Sequence, residues 1–332
     1  MRGIRLCGSG AAVPATRLSN DALSQRVETS DEWIRSRTGI GERRVAAEDE
    51  TLTSLAAAAG AQALQNAGWE PSSLDLILLA TSSPDDLFGS APKVQAVLGA
   101  ERAVAFDLTA ACSGFLFALV TAAQYLRSGA MQRVLVIGAD QLSSWVDWSD
   151  RRTCVLFGDG AGAVAVEATG DADALLGFRM ASDGRRGENL TLSQQPQRQE
   201  LLPGISAQQG GFSTIAMNGQ EVYKFAAREV PAILQQLLDD TSTSPSELDW
   251  LLLHQANQRI LDAVGERLGM AAEKVLSNLA HYGNTSAATI PLMLHEAVSD
   301  GRISSGDLIA TSGFGAGLSW GAALLRWDGP TS

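Results

Sequence analysis

Pro71-Ser-Ser-Leu-Asp-Leu-Ile-Leu-Leu79 and Pro245-Ser-Glu-Leu-Asp-Trp-Leu-Leu-Leu253 are two copies of one phrase, set 174 residues apart. Each opens on a Pro-Ser turn and passes into an almost unbroken apolar run. Such a run suits a strand covered on both faces. Arg133 to Gly138 reads the same way. The likeness continues outward from the phrase. A helix-like stretch ending in Leu-Gly follows each copy, Val94 to Gly99 and Asn257 to Gly269. Next comes a turn of small residues, Thr109 to Ser113 or Asn284 to Ala288. A helix then stops near Gly129 or Gly301, and a strand follows, Val134 to Gly138 or Asp307 to Thr311. A repeat this long is a duplicated half-domain and not a solenoid. Strands alternating with helices predict an α/β fold with pseudo-two-fold symmetry and a site where the halves meet.

Two further segments complete the outline. Gly219 to Asp239 reads as a helix, with Val222, Phe225, Ala226, Ile233, Leu234 and Leu237 near one face and Pro231 as a kink. Gly184 to Gly211 is polar and rich in Gln and Gly, and is expected to be a long surface loop.

Composition narrows the partners. The chain has 332 residues, 45% hydrophobic and 19% charged, with a net charge of −12. That charge disfavours nucleic acid and anionic membrane as partners. No apolar stretch approaches the roughly 20 residues of a membrane-spanning helix. The first ten residues are too interrupted for a signal peptide. The three cysteines, Cys7, Cys112 and Cys154, are widely spaced. They argue against a disulfide framework or a zinc site, and favour a reducing compartment. The expectation is a soluble cytoplasmic protein without a metal.

Cys112 lies in Phe106-Asp-Leu-Thr-Ala-Ala-Cys-Ser-Gly-Phe-Leu, with small residues before it and an apolar helix after it. The thiol is therefore expected at a turn at a helix N-terminus, where exposed N–H groups favour thiolate. Such a thiolate can take an acyl group from a thioester, since one thioester replaces another. The bland alternative is a buried apolar cysteine. Cys7 and Cys154 sit in strand-like runs, and that alternative is kept for them. His254 directly follows the strand Leu251-Leu252-Leu253, the strand end at which α/β proteins place sites. Asn284 lies in a turn before a helix. Cys, His and Asn together would also suit a cysteine hydrolase, but the papain-type signature near the N-terminus is absent.

With these motifs in order, the chain resembles the β-ketoacyl-acyl carrier protein synthase III family, of the thiolase-like superfamily, from about Ile4 to Trp327. The resemblance rests on Thr29-Ser-Asp-Glu-Trp-Ile-Arg-Ser-Arg-Thr-Gly-Ile40, the Cys112 segment and Phe157-Gly-Asp-Gly-Ala-Gly162. It also rests on His254-Gln-Ala-Asn257, Gly283-Asn-Thr-Ser286 and Ser312-Gly-Phe-Gly-Ala-Gly317.

The resemblance implies a duplicated five-layered α-β-α-β-α fold. Residues 1–170 would carry the cysteine, and residues 171–332 the histidine and asparagine. It implies a decarboxylating condensation of an acyl-CoA primer, acetyl-CoA by preference, with malonyl-acyl carrier protein, without a resident cofactor. Cys112 would hold the acyl group. His254 and Asn284 would donate to the malonyl thioester oxygen as CO₂ leaves. The backbone N–H groups of Cys112 and Ala316 would form the oxyanion hole, with Ala316 where relatives often have Gly. CoA would meet Thr29, Trp33, Arg37, Arg151, Gly219 and Asn257. Gln220 stands where some relatives have Asn. The acidic carrier protein would dock on Arg259, with Lys224 and Arg267 beside it and Glu266 weakening the patch. The protein would be a homodimer, with Phe88 closing the partner's acyl pocket. The ranking alternative keeps the fold and changes the reaction, to an acyltransferase or ketosynthase of secondary metabolism. A chain-length-factor-like partner without catalysis would lack Cys112.

Overall fold

The computed structural model describes residues 2–170 and 172–330. The expected boundary between residues 170 and 171 meets Asp171, and the expected chain ends Met1 and Ser332 also lie outside the described residues. Ten strands build two sheets: β1 Gly3–Ala12, β2 Leu76–Ala80, β3 Val104–Leu108, β4 Arg133–Gln141, β5 Asp159–Thr169, β6 Leu175–Ser182, β7 Trp250–Leu253, β8 Val275–Leu276, β9 Leu308–Gly315 and β10 Ser319–Arg326. The first sheet has the order β3-β2-β4-β5-β1, and the second β8-β7-β9-β10-β6. Adding five to each number of the first order gives the second. The repeated phrases end in β2 and β7, which pair in parallel with both neighbours. The outer two strands of each sheet run antiparallel.

Helix α1 spans Asp31–Thr38. Among the described residues six helices cover the sheets: α2 Leu52–Ala67, α3 Ala91–Leu98, α4 Gly114–Arg127, α5 Gly219–Asp240, α6 Gln258–Arg267 and α7 Thr289–Ser299, and α1 packs beside α6. The period-two alternation of a strand explains the layers. In β2, Leu76 and Leu78 point into a central core with Phe115 and Leu119 of α4 and Ile290 and Leu294 of α7. Leu252 and Ile309 of the second sheet join the same core. Ile77 and Leu79 face the opposite way, onto α2 and α3. Leu251 and Leu253 do likewise onto α5 and α6. The result is the five-layered arrangement that the resemblance implies.

Three local expectations need correction or refinement. Cys154 is buried but lies in turns and not in a strand. The carbonyl of Asp150 accepts from the N–H groups of Thr153 and Cys154 and winds that apolar run. The expected loop Gly184 to Gly211 is also partly ordered. It contains a β-hairpin, Gln197–Leu202 with Ile205–Gln209, turning at Pro203-Gly204 with Gly204 at φ +80°. A Pro-Gly pair between extended polar segments is a hairpin signal. Finally, α5 continues through Pro231 to Asp240 with Phe225, Ile233, Leu234 and Leu237 buried.

Candidate active site

Cys112 sits in the single turn Ala111–Ser113, which runs directly into α4. Ala111 has φ +47°, and at the matching turn of the second half Ser286 has φ +52°. Non-glycine residues rarely take this conformation, and it commonly marks functional sites. Both turns are held against their surroundings at very short range. A Cβ on Gly315 would come within 2.6 Å of the Cys112 nitrogen, so the end of β9 presses on the turn that carries Cys112. Ala316 follows immediately. A Cβ on Gly138 would meet the Ala287 carbonyl oxygen at 2.2 Å, so β4 presses on the turn after Asn284.

The buried Asp140 at the end of β4 ties the halves together. Its carboxylate accepts from Ser82 N–H at 2.7 Å, Ser83 Oγ at 2.9 Å, Thr81 Oγ1 at 3.2 Å and Ala287 N–H at 3.0 Å. These donors satisfy a group that would otherwise be costly to bury.

A cavity of about 110 Å³ brings Cys112, His254 and Asn284 together, with Phe157, Phe314 and Asn257 also in its wall. His254 continues β7, and its N–H donates to the Ser312 carbonyl of β9 at 2.8 Å. Its Nδ1 lies 2.7 Å from Thr289 Oγ1, and its ring meets Phe314 edge-on at 5.1 Å. Asn284 is held by the backbone on both sides. Its N–H donates to the Leu156 carbonyl at 2.8 Å, and its carbonyl accepts from Gly158 N–H at 3.0 Å. The Phe157-Gly-Asp-Gly motif therefore grips the turn that carries Asn284. Its Oδ1 accepts from Ser286 N–H at 2.8 Å.

Electrostatics departs from the sequence expectation at one point. Cys112 is at a helix N-terminus as expected, but burial pushes its thiol up to about 12. A hydrogen bond from Ser286 pulls the other way, and the nearby Asp140 carboxylate adds to the rise. The resting form is the thiol. Burial also lowers His254 to about 3, so its imidazole is neutral. Cys7, in β1, is likewise pushed up to about 12 by burial.

Residues 106–184 match the family model described as 3-oxoacyl-[acyl-carrier-protein (ACP)] synthase III. Residues 238–327 match the model of its C-terminal part. A Synechococcus protein named β-ketoacyl-[acyl-carrier-protein] synthase III is 79% identical, over 100% of both chains. The protein of that name from Synechococcus elongatus is 68% identical over 98% of this chain and 97% of its own. The crystal structure of the Aquifex aeolicus 3-oxoacyl-[acyl-carrier-protein] synthase III is 44% identical and superposes with a TM-score of 0.90, over 98% of this chain and 100% of that one.

This chain belongs to the β-ketoacyl-acyl carrier protein synthase III family. It is an acyl-transferring condensing enzyme with the thiolase-like fold.

Of the other expected positions, Gly219 and Asn257 line the cavity, whereas Thr29, Trp33, Arg37 and Arg151 lie outside its wall. Trp33 on α1 is half exposed, and the Arg151 guanidinium lies 5.3 Å from its ring centroid. Arg151 also donates to the Glu28 carbonyl at 2.8 Å. Thr29 Oγ1 is a buried hydroxyl oxygen with no hydrogen-bond partner among the described residues. Arg37 is exposed at the end of α1, and its carbonyl accepts from Asn257 Nδ2 at 3.1 Å. Asn257 Oδ1 caps α6 by accepting from Arg259 N–H at 2.9 Å. Gly219 starts α5 in the cavity wall. The nearest atom to an added Cβ there is Met217 Cε at 3.6 Å, so glycine is not required by the surrounding protein.

The basic positions are less uniform than the sequence suggests. Arg259 lies over the Tyr223 ring at 5.3 Å. Lys224 is paired with Glu221 at 2.8 Å. Arg267 ends α6, about 12 Å along the helix from Arg259. Phe88 is fully exposed and Leu87 is 79% exposed. Their loop is nonetheless built firmly. Asp86 Oδ1 accepts from Phe88 N–H at 3.0 Å, and Asp107 accepts from the N–H groups of Ser90 at 2.8 Å and Ala91 at 2.7 Å.

Sequence reasoning assigned no role to Ser286, Thr289 or Asp140, whose hydrogen bonds reach Asn284, His254 and the Ala287 N–H respectively. Ser286 and Thr289 lie within five residues of Asn284, which was the available signal. Arg43 was also missed. It is fully buried, donating to Leu18 O, Asn20 Oδ1 and Val155 O at 3.0, 2.9 and 2.8 Å. Burial lowers it to about 10.

Proposed function

We propose that this enzyme starts fatty acid chains, taking an acetyl group from acetyl-CoA onto Cys112 and condensing it with malonyl-acyl carrier protein. The observation that carries this reading is the meeting of a thiol, a neutral imidazole and an amide in one small cavity. The Cys112 sulfur attacks the thioester carbonyl. CoA leaves as its thiol, carrying the proton that the cysteine gave up. The malonyl unit then loses CO₂, and the electron pair of the broken C–C bond forms an enolate. His254 and Asn284 donate to that enolate oxygen. Neutral donors suit this task, because they favour the new charge without binding the incoming carboxylate as a cation would. The enolate carbon attacks the acetyl carbonyl on Cys112, whose oxyanion takes N–H bonds from Cys112 and Ala316. Collapse releases 3-oxobutanoyl-carrier and the cysteine thiolate, which regains a proton.

The CoA arm runs past Gly219 and Asn257 to a base resting on Trp33. Two stacked layers on either side of a base need about 7 Å between them, so Arg151 swings outward from its present 5.3 Å. The orphaned Thr29 hydroxyl and the exposed Arg37 complete that end. Arg259 leads the carrier-protein surface, with Lys224 and Arg267 as lesser contributors.

The enzyme works in the cytoplasm as a homodimer, and within each subunit the N-terminal half gives way to the C-terminal half near residue 170. The exposed Leu87-Phe88 pair supports the dimer, since adjacent large apolar groups on a braced loop mark an interaction site. Phe88 then closes the partner's pocket and restricts it to short primers. Among the described residues no helix is long and apolar enough to cross a membrane. A priming ketosynthase of polyketide biosynthesis shares the fold at a TM-score of 0.90, but at 32% identity against 79% for the Synechococcus β-ketoacyl-[acyl-carrier-protein] synthase III. Competition among acyl-CoA primers tests the reading. Acetyl-CoA should dominate, and a preference for long or branched primers would refute it.

A further inference from the structure

We infer that the Thr289 hydroxyl fixes the tautomer of His254, donating to Nδ1 and so leaving Nε2 as the N–H that faces the cavity. The inference rests on the proposed role of His254 as a donor to the enolate, and it names the residue that makes His254 a donor.

A neutral imidazole carries one proton, and its partner at one nitrogen decides what the other nitrogen can do. Thr289 Oγ1 is 2.7 Å from His254 Nδ1 and 3.1 Å from the Ser286 carbonyl oxygen. The hydroxyl has one proton for these two acceptors. If it went to Ser286, Nδ1 would have to carry the imidazole proton, and Nε2 would present a lone pair to a developing anion. That arrangement repels the enolate. The Ser286 carbonyl also accepts from the N–H of Thr289 itself, so it keeps a donor when the hydroxyl turns away. The imidazole nitrogen, at 2.7 Å against 3.1 Å, is the nearer acceptor, and the hydroxyl proton goes to it.

The same short segment settles the other donor. Ser286 N–H occupies Asn284 Oδ1, which turns the Asn284 NH₂ group away from that oxygen. The six residues from Asn284 to Thr289 thus orient both donors from one turn. Thr289 is a positioning residue: it acts through His254 and is not itself in the cavity wall. It is buried, so water does not compete for its proton.

Nitrogen NMR of histidine-labelled protein tests this directly. The chain has three histidines, and the His254→Ala spectrum assigns the signal. The wild-type enzyme should show a protonated Nε2 and an unprotonated Nδ1. A protonated Nδ1 in the wild type would overturn the inference, whatever any variant does. Thr289→Val keeps the backbone N–H and the branched shape but loses the hydroxyl. It should shift the tautomer and slow malonyl decarboxylation on the order of 100-fold, the cost of one lost donor, while Cys112 still accepts acetyl. Thr289→Ser should restore both signals. A Thr289→Val enzyme with unchanged tautomer and rate would refute the role. An enzyme that does not decarboxylate malonyl-carrier at all, yet shows the expected wild-type tautomer, would refute the proposed reaction and leave the tautomer assignment standing.

Discussion

Asn284 Oδ1 accepts the N–H of Ser286 at 2.8 Å, so the carboxamide oxygen of Asn284 is committed within its own turn. Its NH₂ group is the end left for a ligand. In the proposed reaction this amide and the neutral His254 are the donors for an oxygen that becomes negative only when CO₂ departs.

His254→Ala and Asn284→Ala should therefore each slow malonyl decarboxylation by on the order of 100- to 1000-fold. Acetyl transfer to Cys112 should survive in both, since the enolate does not exist in that half-reaction. Release of labelled CO₂ from malonyl-carrier, measured beside intact-mass acylation, separates the two steps. Normal decarboxylation by both variants would remove these residues from the mechanism.

The burial of His254 has a consequence for pH. Its folded value of about 3 lies below the ordinary histidine value, so it stays neutral throughout the physiological range. The decarboxylation rate should show no loss from His254 protonation between about pH 8 and about pH 5. Stability has a definite sign as well. An unfolded histidine binds its proton near pH 6.5 and the folded one does not, so acid favours the unfolded chain. This contribution to stability is present above about pH 6.5 and is lost as pH falls towards about 3. A half-reaction rate that falls with an apparent pKa near 6.5 and tracks the His254 NMR signal would contradict the burial argument.

How much of this was legible in the sequence depends on the range of the interactions. Leu76 to Leu79 and Leu251 to Leu253 declared their strands because burial on both faces leaves an apolar run whatever surrounds it. The repeat then yielded the paired sheets, and Cys112, His254 and Asn284 followed as chemistry-bearing residues at matched turns and strand ends. The Cys112 electrostatics was not legible, because the helix N-terminus is local whereas burial and Asp140 arrive from other segments. Arg43 stands in the charged stretch Glu42-Arg43-Arg44, where nothing local signals burial. Only the fold brings Leu18, Asn20 and Val155 to its guanidinium. The run after Asp150 looked like a strand because apolar content does not distinguish buried turns from buried strands.

Docking of the carrier protein should depend on charge at Arg259. The enzyme is acidic overall, with a net charge of −12, so a local positive group must oppose general repulsion. Arg259→Glu should raise the KM for malonyl-carrier, and salt should raise it in the wild type. Acetyl-CoA acylation should change little. Lys224→Ala should have a smaller effect, because Glu221 already pairs with that lysine. An equal loss with both substrates for Arg259→Glu would place docking elsewhere.

Phe88→Ala should lengthen the accepted primer and weaken self-association. The fully exposed ring has no covering side chain within its own subunit to lose. Its removal should therefore leave the monomer fold intact, as read by circular dichroism. Acyl-CoA competition and sedimentation supply the two readouts. A monomeric wild type, or unchanged primer range in the variant, would count against a pocket shared across a dimer.

Intact-mass analysis through one full turnover tests the central claim most directly. Enzyme mixed with acetyl-CoA should gain one acetyl group, mapped to Cys112 and absent in Cys112→Ser, with Cys7 and Cys154 unlabelled. Added malonyl-carrier should then discharge the enzyme as 3-oxobutanoyl-carrier forms. Equal labelling of Cys154, or discharge of the acetyl group as free acetate without a new carbon–carbon bond, would contradict the account.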